Sequence, residues 1–177
     1  MQRYIALLRG VNVGGKNSVA MPLLKNAFEQ AGFADVKTYI NSGNVAFSHS
    51  SADRAALQQT CVQAIARQFS LDIAVALLSV QELAEALEHA PDWWGGDSSA
   101  KHNAIFVIAP ATAGEVIEQI GPAKPEYEQV ASYGQVIFWS APVATFSRTR
   151  WSKIVGTAAY DSITIRNANT AKKLLQL

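Results

Sequence analysis

The segment Tyr4 to Leu8, Tyr-Ile-Ala-Leu-Leu, is apolar at every position, and Ala104 to Ile108 repeats the pattern in the second half of the chain. A strand with one wet face alternates apolar and polar residues, so an unbroken run of both parities reads as a strand buried on both sides. This feature constrains the chain more than any other. Helices can cover one face of each sheet; the other face must meet a second domain, a partner subunit or additional helices. A sheet used as an open nucleic-acid platform, with aromatic side chains standing in solvent, is disfavoured. The charge balance agrees, because 15 Lys+Arg against 14 Asp+Glu leaves a net charge of +1 and no broad basic field. The sole cysteine, Cys61, excludes an intrachain disulfide and any multi-cysteine metal site. The longest apolar runs fall far short of the roughly 18 residues that a membrane span needs. Met1-Gln2-Arg3-Tyr4 leads straight into a strand-like segment with no signal-peptide profile. The expectation is a cytoplasmic protein with no membrane contact.

Element order supplies the architecture. Arg3–Arg9 reads as a strand, Gly10–Lys16 as a glycine-rich loop, and Pro22 as a helix start with Leu24, Ala27, Phe28 and Ala31 on one face. Gly32 stops that helix. Val36–Ile40 and Asn44–Phe47 read as strands joined by the hairpin turn Asn41-Ser42-Gly43. A second helix opens at Ser50-x-x-Asp53 and carries Leu57, Cys61, Ala64 and Ile65 inward; Ile73–Leu78 is a fourth strand. The order β-α-β-β-α-β is the split plait of ferredoxin-like folds. Ser79-x-x-Glu82 opens a connecting helix, and Pro91–Lys101 is linker-like apart from its Trp93-Trp94 pair. Beyond it come a strand at Ala104–Ala109, a capped helix from Thr112-x-x-Glu115 to Gly121-Pro122, and a hairpin across Gly134-Gln135. A helix from about Arg148 to Ala159, a strand at Ser162–Arg166 and a last helix from Asn167 complete the chain. The class is α+β, with two ferredoxin-like split plaits in tandem: residues 1–78, a connecting helix and linker over 79–101, and 102–177.

Three segments concentrate polar and glycine residues. Arg9-Gly10-Val11-Asn12-Val13-Gly14-Gly15-Lys16-Asn17 contains G-x-x-x-x-G-K after a strand, which invites comparison with a phosphate loop. Asn17 stands where the magnesium-binding hydroxyl belongs, and the helix starts several residues late, so the segment reads as a glycine turn or as a backbone nest for an anion beside Arg9 and Lys16. Ser42-Gly43-Asn44 is ordinary turn material. In a split plait, however, the first and second strands are parallel with the third between them, which places Ser42–Asn44 at the same end of the sheet as Gly10–Lys16. Arg166-Asn167-Ala168-Asn169-Thr170 can cap the last helix through Asn167. His49, His89 and His102 are scattered without metal-ligand spacing, and the sequence indicates neither a metal nor a cofactor. Cys61 reads as core. No catalytic constellation is recognisable, so the catalytic residues are unassigned.

Taken together, R-G-V-N-V-G-G-K-N at 9–17, Met21-Pro22, S-G-N-V at 42–45, A-P-D-W-W at 90–94, Asn103-Ala-Ile-Phe-Val107 and R-N-x-N-T at 166–170 resemble the bacterial domain of unknown function 1697 family. The resemblance implies two ferredoxin-like subdomains and no particular reaction. It maps recurrent motif positions onto Arg9, Gly10, Asn12, Gly14, Gly15, Ser42, Gly43, Asn44, Arg166, Asn167 and Thr170. Two function classes follow from the residues. One is a binding module for a small anionic, phosphate-bearing ligand or nucleotide, using Arg9, Gly10, Asn12, Gly14, Gly15, Lys16, Ser42, Gly43, Asn44, Arg166 and Asn167. The other is an interaction module, including self-association into a homo-oligomer, in which the same motifs serve turns. An enzyme with an unidentified reaction is a third.

Overall fold

The computed structural model describes residues 1–177. Its contacts divide the chain into two units, Met1–Leu83 with Leu174–Leu177, and Ala84–Lys173. In the first unit, β1 (Gln2–Leu8), β2 (Ala34–Tyr39), β3 (Asn44–His49) and β4 (Val75–Ser79) form a sheet in the order β2-β3-β1-β4, antiparallel throughout. Helices α1 (Met21–Gln30) and α2 (Arg54–Phe69) complete a split plait. Every residue from Tyr4 to Leu8 is buried, as the double parity of that run requires. One parity, Tyr4, Ala6 and Leu8, joins Leu24 and Phe28 of α1 and Leu57, Cys61 and Ile65 of α2 in a single core. Phe33 stacks on Phe47 there, with ring centroids 4.1 Å apart. Burial pushes the Cys61 thiol well above its ordinary value, so this cysteine is a core residue and not a nucleophile.

In the second unit β5 (Ala100–Val107), β6 (Gln129–Tyr133), β7 (Val136–Pro142) and β8 (Ile163–Asn167) repeat the arrangement in the order β6-β7-β5-β8. Every residue from Ala104 to Ile108 is again buried. The chain is therefore α+β, with two ferredoxin-like units in tandem. Helices α3 (Val80–Glu88), α4 (Ala113–Ile120) and α5 (Ala168–Lys173) are the remaining α-helices. No helix is long and apolar enough to cross a membrane.

The capping boxes at Ser79/Glu82 and Thr112/Glu115 form reciprocally, side chain to backbone in both directions. Two expectations are corrected. At α2 the cap is Asp53 itself, whose carboxylate accepts the Ala56 N–H at 3.0 Å, while Ser51 accepts the Asp53 N–H. Ser50 lies outside the cap, because Asp53 supplies the acceptor directly. The helix expected from Arg148 to Ala159 is instead a run of 3₁₀ turns, Val143–Arg148, Trp151–Gly156 and Ala158–Ser162. Thr149, Ser152 and Thr157 each donate a hydroxyl to the carbonyl three residues back, at 2.8, 3.2 and 2.7 Å, which competes with α-helical pairing.

Glu128 holds these turns in place. It is 3% exposed, and its carboxylate accepts the N–H groups of Lys124 and Arg150, each at 2.9 Å, and the Trp151 N–H and Trp139 indole N–H, each at 3.2 Å. Glu128→Ala strands those donors in the interior, where an unpartnered buried donor costs roughly 1–3 kcal/mol. The expected loss is about 3 kcal/mol or more from the second unit. All four tryptophans, Trp93, Trp94, Trp139 and Trp151, lie in that unit, so denaturant unfolding followed by tryptophan fluorescence reads it directly.

Glu82 gives the first unit a pH dependence. Burial opposes its ionisation, but the Ser79 N–H, the Arg54 guanidinium at 2.7 Å and the Ser79 hydroxyl outweigh burial and hold the carboxyl below its ordinary value. A lowered carboxyl contributes stability that is present above its unfolded value and lost as pH falls through the folded one. Glu82→Gln is expected to flatten the acid limb of the melting temperature against pH while leaving the neutral limb parallel to the parent.

Candidate functional site

The segment after β1 closes on itself as a miniature hairpin. The Asn12 N–H donates to the Asn17 carbonyl and the Lys16 N–H to the Val13 carbonyl, each at 3.0 Å, and Val13 and Lys16 form an isolated antiparallel bridge. Gly14 and Gly15 between them have φ of 59° and 72°, the backbone signature of a type I′ turn. The phosphate-loop comparison ends here. The Lys16 amide is engaged within the turn, and α1 begins only at Met21, so the loop does not deliver its amides to a helix N-terminus.

Asparagines hold this hairpin. The Asn12 side chain donates to the Val19 and Asn41 carbonyls at 2.8 and 2.7 Å and accepts the Val19 N–H at 2.8 Å. Asn17 donates to the Gly10 carbonyl at 3.0 Å. One amide thus ties the loop after β1 to the β2–β3 turn, and the Leu8 N–H adds a bond to the Gly43 carbonyl at 2.8 Å. The two motif segments meet at one end of the first sheet. Gly43 has a φ of 83°, and a Cβ there would lie 2.8 Å from both Leu8 Cβ and Val11 Cγ2. Asn44 is fully buried and donates to the Tyr39 carbonyl and the Ser42 hydroxyl at 2.8 and 2.9 Å. Asn12, Gly43 and Asn44 therefore build the rim. Lys16, Gly14 and Gly15 are exposed on it, Arg9 and Ser42 are partly exposed beside it, and Gly10 lies at its base with a φ of 68°. The rim also displays apolar surface, with Val13 65% and Ile40 47% exposed.

The third segment belongs to the second unit. Arg166 on β8 is buried, donates to the Thr164 hydroxyl at 2.8 Å and the Ile165 carbonyl at 2.9 Å, and is pulled down to about 10 by burial, so it stays charged near neutrality. Asn167 caps α5 by accepting the Thr170 N–H at 2.8 Å, and with Asn169 it borders a cleft of about 410 Å³ whose other side is Gly95–Ser98 and His102. Trp94 caps the sheet: it is 6% exposed, meets Phe138 edge-on at 4.9 Å and donates its indole N–H to the Asn103 carbonyl at 2.8 Å. Sequence inspection leaves His102 as an isolated histidine. In the structure it also borders a second cleft, with Nδ1 2.5 Å from the Ser140 hydroxyl and Nε2 2.7 Å from the Asp97 carbonyl.

The protein family described as "Protein of unknown function (DUF1697)" matches residues 1–138, a stretch that includes the whole rim. The chain belongs to this family. The conserved bacterial protein SP0830 from Streptococcus pneumoniae is similar over nearly its full length, at 32% identity and a TM-score of 0.88, covering 99% of this chain and 97% of that one. No curated protein matches. Family membership agrees with the resemblance carried by the 9–17 and 42–45 motifs and, like it, assigns no activity.

The geometry separates glycines that look equivalent in sequence. Gly43→Ala combines a left-handed backbone with a steric overlap and is expected to cost about 2–4 kcal/mol. Gly14→Asn meets open space at a turn position that favours asparagine, and should stay within about 0.5 kcal/mol of the parent. Urea titrations followed by far-ultraviolet circular dichroism distinguish the two.

Proposed function

We propose that this chain is a binding module whose recognition element is the Gly10–Asn17 hairpin, and that its ligand carries an anionic, phosphate-type group. The observation that carries this reading is the set of three hydrogen bonds by which Asn12 fixes the hairpin, two to the Val19 backbone that follows it and one to the Asn41 carbonyl of the β2–β3 turn. A loop already held in one conformation loses little entropy on binding, so its contacts convert efficiently into affinity. In this reading Lys16 and Arg9 supply the positive charge, Gly14 and Gly15 allow close approach of the ligand, and Asn12, Gly43 and Asn44 act as positioning residues. The exposed Val13 and Ile40 on the same rim favour a second reading, in which the partner is a protein surface that covers these side chains.

Thermal shift with inorganic phosphate, nucleoside mono- and triphosphates and sugar phosphates tests the first reading. A ligand present at about 100 Kd adds about 2.7 kcal/mol, a readily visible rise in melting temperature. The expected result is a shift for at least one of these probes that disappears in Arg9→Ala/Lys16→Ala. Absence of any shift, or a shift that survives the double substitution, overturns it. Solution mass over a concentration series then reads self-association, and Val13→Asp should abolish it if the apolar rim is the contact.

A further inference from the structure

We propose that Ser140 and His102 form a nucleophile and general-base pair for acyl transfer on a small carboxylic ester, in a cleft of the second unit separate from the hairpin rim. The pairing register of the sheet places three residues in a row across adjacent strands. Gln129 on β6 lies opposite Ser140 on β7, and Ser140 lies opposite His102 on β5. Directly opposed residues share a sheet face with Cβ atoms about 5 Å apart, so an amide, a hydroxyl and an imidazole stand side by side. The same face is confirmed by what lies on the other one, since Val130, Trp139 and Ala141 pack into the core that α4 and the 3₁₀ turns share. All three residues of the row line one cleft of about 370 Å³, a size suited to a small ligand.

Hydrogen bonding selects the tautomer of the neutral His102 ring. His102 Nε2 lies 2.7 Å from the Asp97 carbonyl oxygen, which can only accept, so Nε2 carries the hydrogen of the neutral ring. Nδ1 is then the acceptor, and the Ser140 hydroxyl 2.5 Å away donates to it. A serine hydroxyl aimed at a ring nitrogen whose opposite N–H is held by an acceptor is the arrangement of an activated nucleophile. The Asp97 carboxylate helps to hold its own loop, accepting the Ser99 N–H at 2.8 Å and the Ser99 hydroxyl at 2.7 Å. Ser140 is 4% exposed and borders the cleft, whose walls include Trp93, Pro125 and Tyr127. Those walls suit an ester with a compact apolar or aromatic acyl group.

In the step, the Ser140 Oγ attacks the ester carbonyl carbon as its proton passes to His102 Nδ1. The carbonyl π pair moves onto oxygen, where the Gln129 side-chain amide can donate to it. Collapse of the adduct breaks the bond to the alkoxide, which takes the proton from Nδ1 and leaves as an alcohol. Water, losing its proton to the same nitrogen, attacks the acyl-serine and releases the carboxylic acid. Ester and water become acid and alcohol, and Ser140 regains its proton.

The test uses the full chain with an alkyl fluorophosphonate, which forms a bond from Oγ to phosphorus and expels fluoride, and with p-nitrophenyl acetate and butyrate. The expected result is a single phosphonyl adduct mapped by mass spectrometry to Ser140, with ester hydrolysis lost in Ser140→Ala. His102→Gln should slow labelling and hydrolysis by about 100-fold or more, the scale of a general base. Gln129→Ala should lower kcat by about 10-fold or more with KM within about twofold, a split that a purely structural role would not give. Tryptophan fluorescence of each variant confirms that the second unit is folded. No adduct at Ser140 in the native chain overturns the proposal without recourse to any variant. Hydrolysis that persists in folded Ser140→Ala, or undiminished labelling in folded His102→Gln, overturns it as well. Fluorophosphonate labelling does not involve Arg9 or Lys16, so its failure is distinct from failure of the anion-binding reading.

Discussion

The second unit is organised around a buried negative charge solvated entirely by N–H groups. A carboxylate removed from water needs its lost hydration replaced, and Glu128 obtains the replacement from three separate stretches of chain: the turn at Lys124, the indole of Trp139 on β7, and the backbone at Arg150 and Trp151. No single stretch could satisfy it. The requirement therefore fixes the approach to β6, the rotamer of a core tryptophan and the path of the 3₁₀ turns at once. The first unit has no counterpart. Its second crossover is the 16-residue helix α2, whose own backbone satisfies its donors and whose apolar stripe meets the core directly. Two sheets of identical strand order are thus closed in two different ways, one by a regular helix and one by a charge that collects the donors of irregular backbone.

The asparagines of the first unit solve a related problem with neutral groups. A loop with positive φ at Gly10, Asn12, Gly14, Gly15 and Asn17 has little regular secondary structure to hold it, and side-chain amides do that work. An amide carries both donors and an acceptor, so Asn12 bridges two carbonyls and one N–H without introducing a charge. Asn44, wholly buried, ties the Tyr39 carbonyl to the Ser42 hydroxyl beneath the turn. The asparagines that look most polar in the sequence are consequently the ones most occupied by the fold, and the surface of the rim is formed by backbone, Arg9, Lys16 and neighbouring apolar side chains.

Much of the architecture was legible in the sequence because it is written in local signals. Double-parity runs identified the central strands, Ser79/Glu82 and Thr112/Glu115 marked helix starts, and Gly43 and Gly134 marked turns that the backbone bears out with positive φ. Topology then brought the Gly10–Lys16 and Ser42–Asn44 segments to one end of a sheet. The misreadings have local causes too. Residues 148–159 have helical apolar spacing, but the hydroxyls of Thr149, Ser152 and Thr157 and the Glu128 carboxylate take over its hydrogen bonding. The row of Gln129, Ser140 and His102 was invisible for a different reason. It depends on the pairing register of three strands, and no periodicity or motif spacing encodes which residue of β5 faces which residue of β7.

The last four residues, Leu174–Leu177, belong to the first unit, where Leu174 is fully buried and the Leu177 carbonyl accepts from Arg3 at 2.7 Å. The second unit is an insertion between the two parts of the first. During synthesis the strands and helices of the first unit emerge long before the residues that finish it, and these arrive only after the entire second unit has left the ribosome. Contacts such as that between Arg3 and Leu177 therefore form only after the second unit has been translated, although the half they complete is translated first.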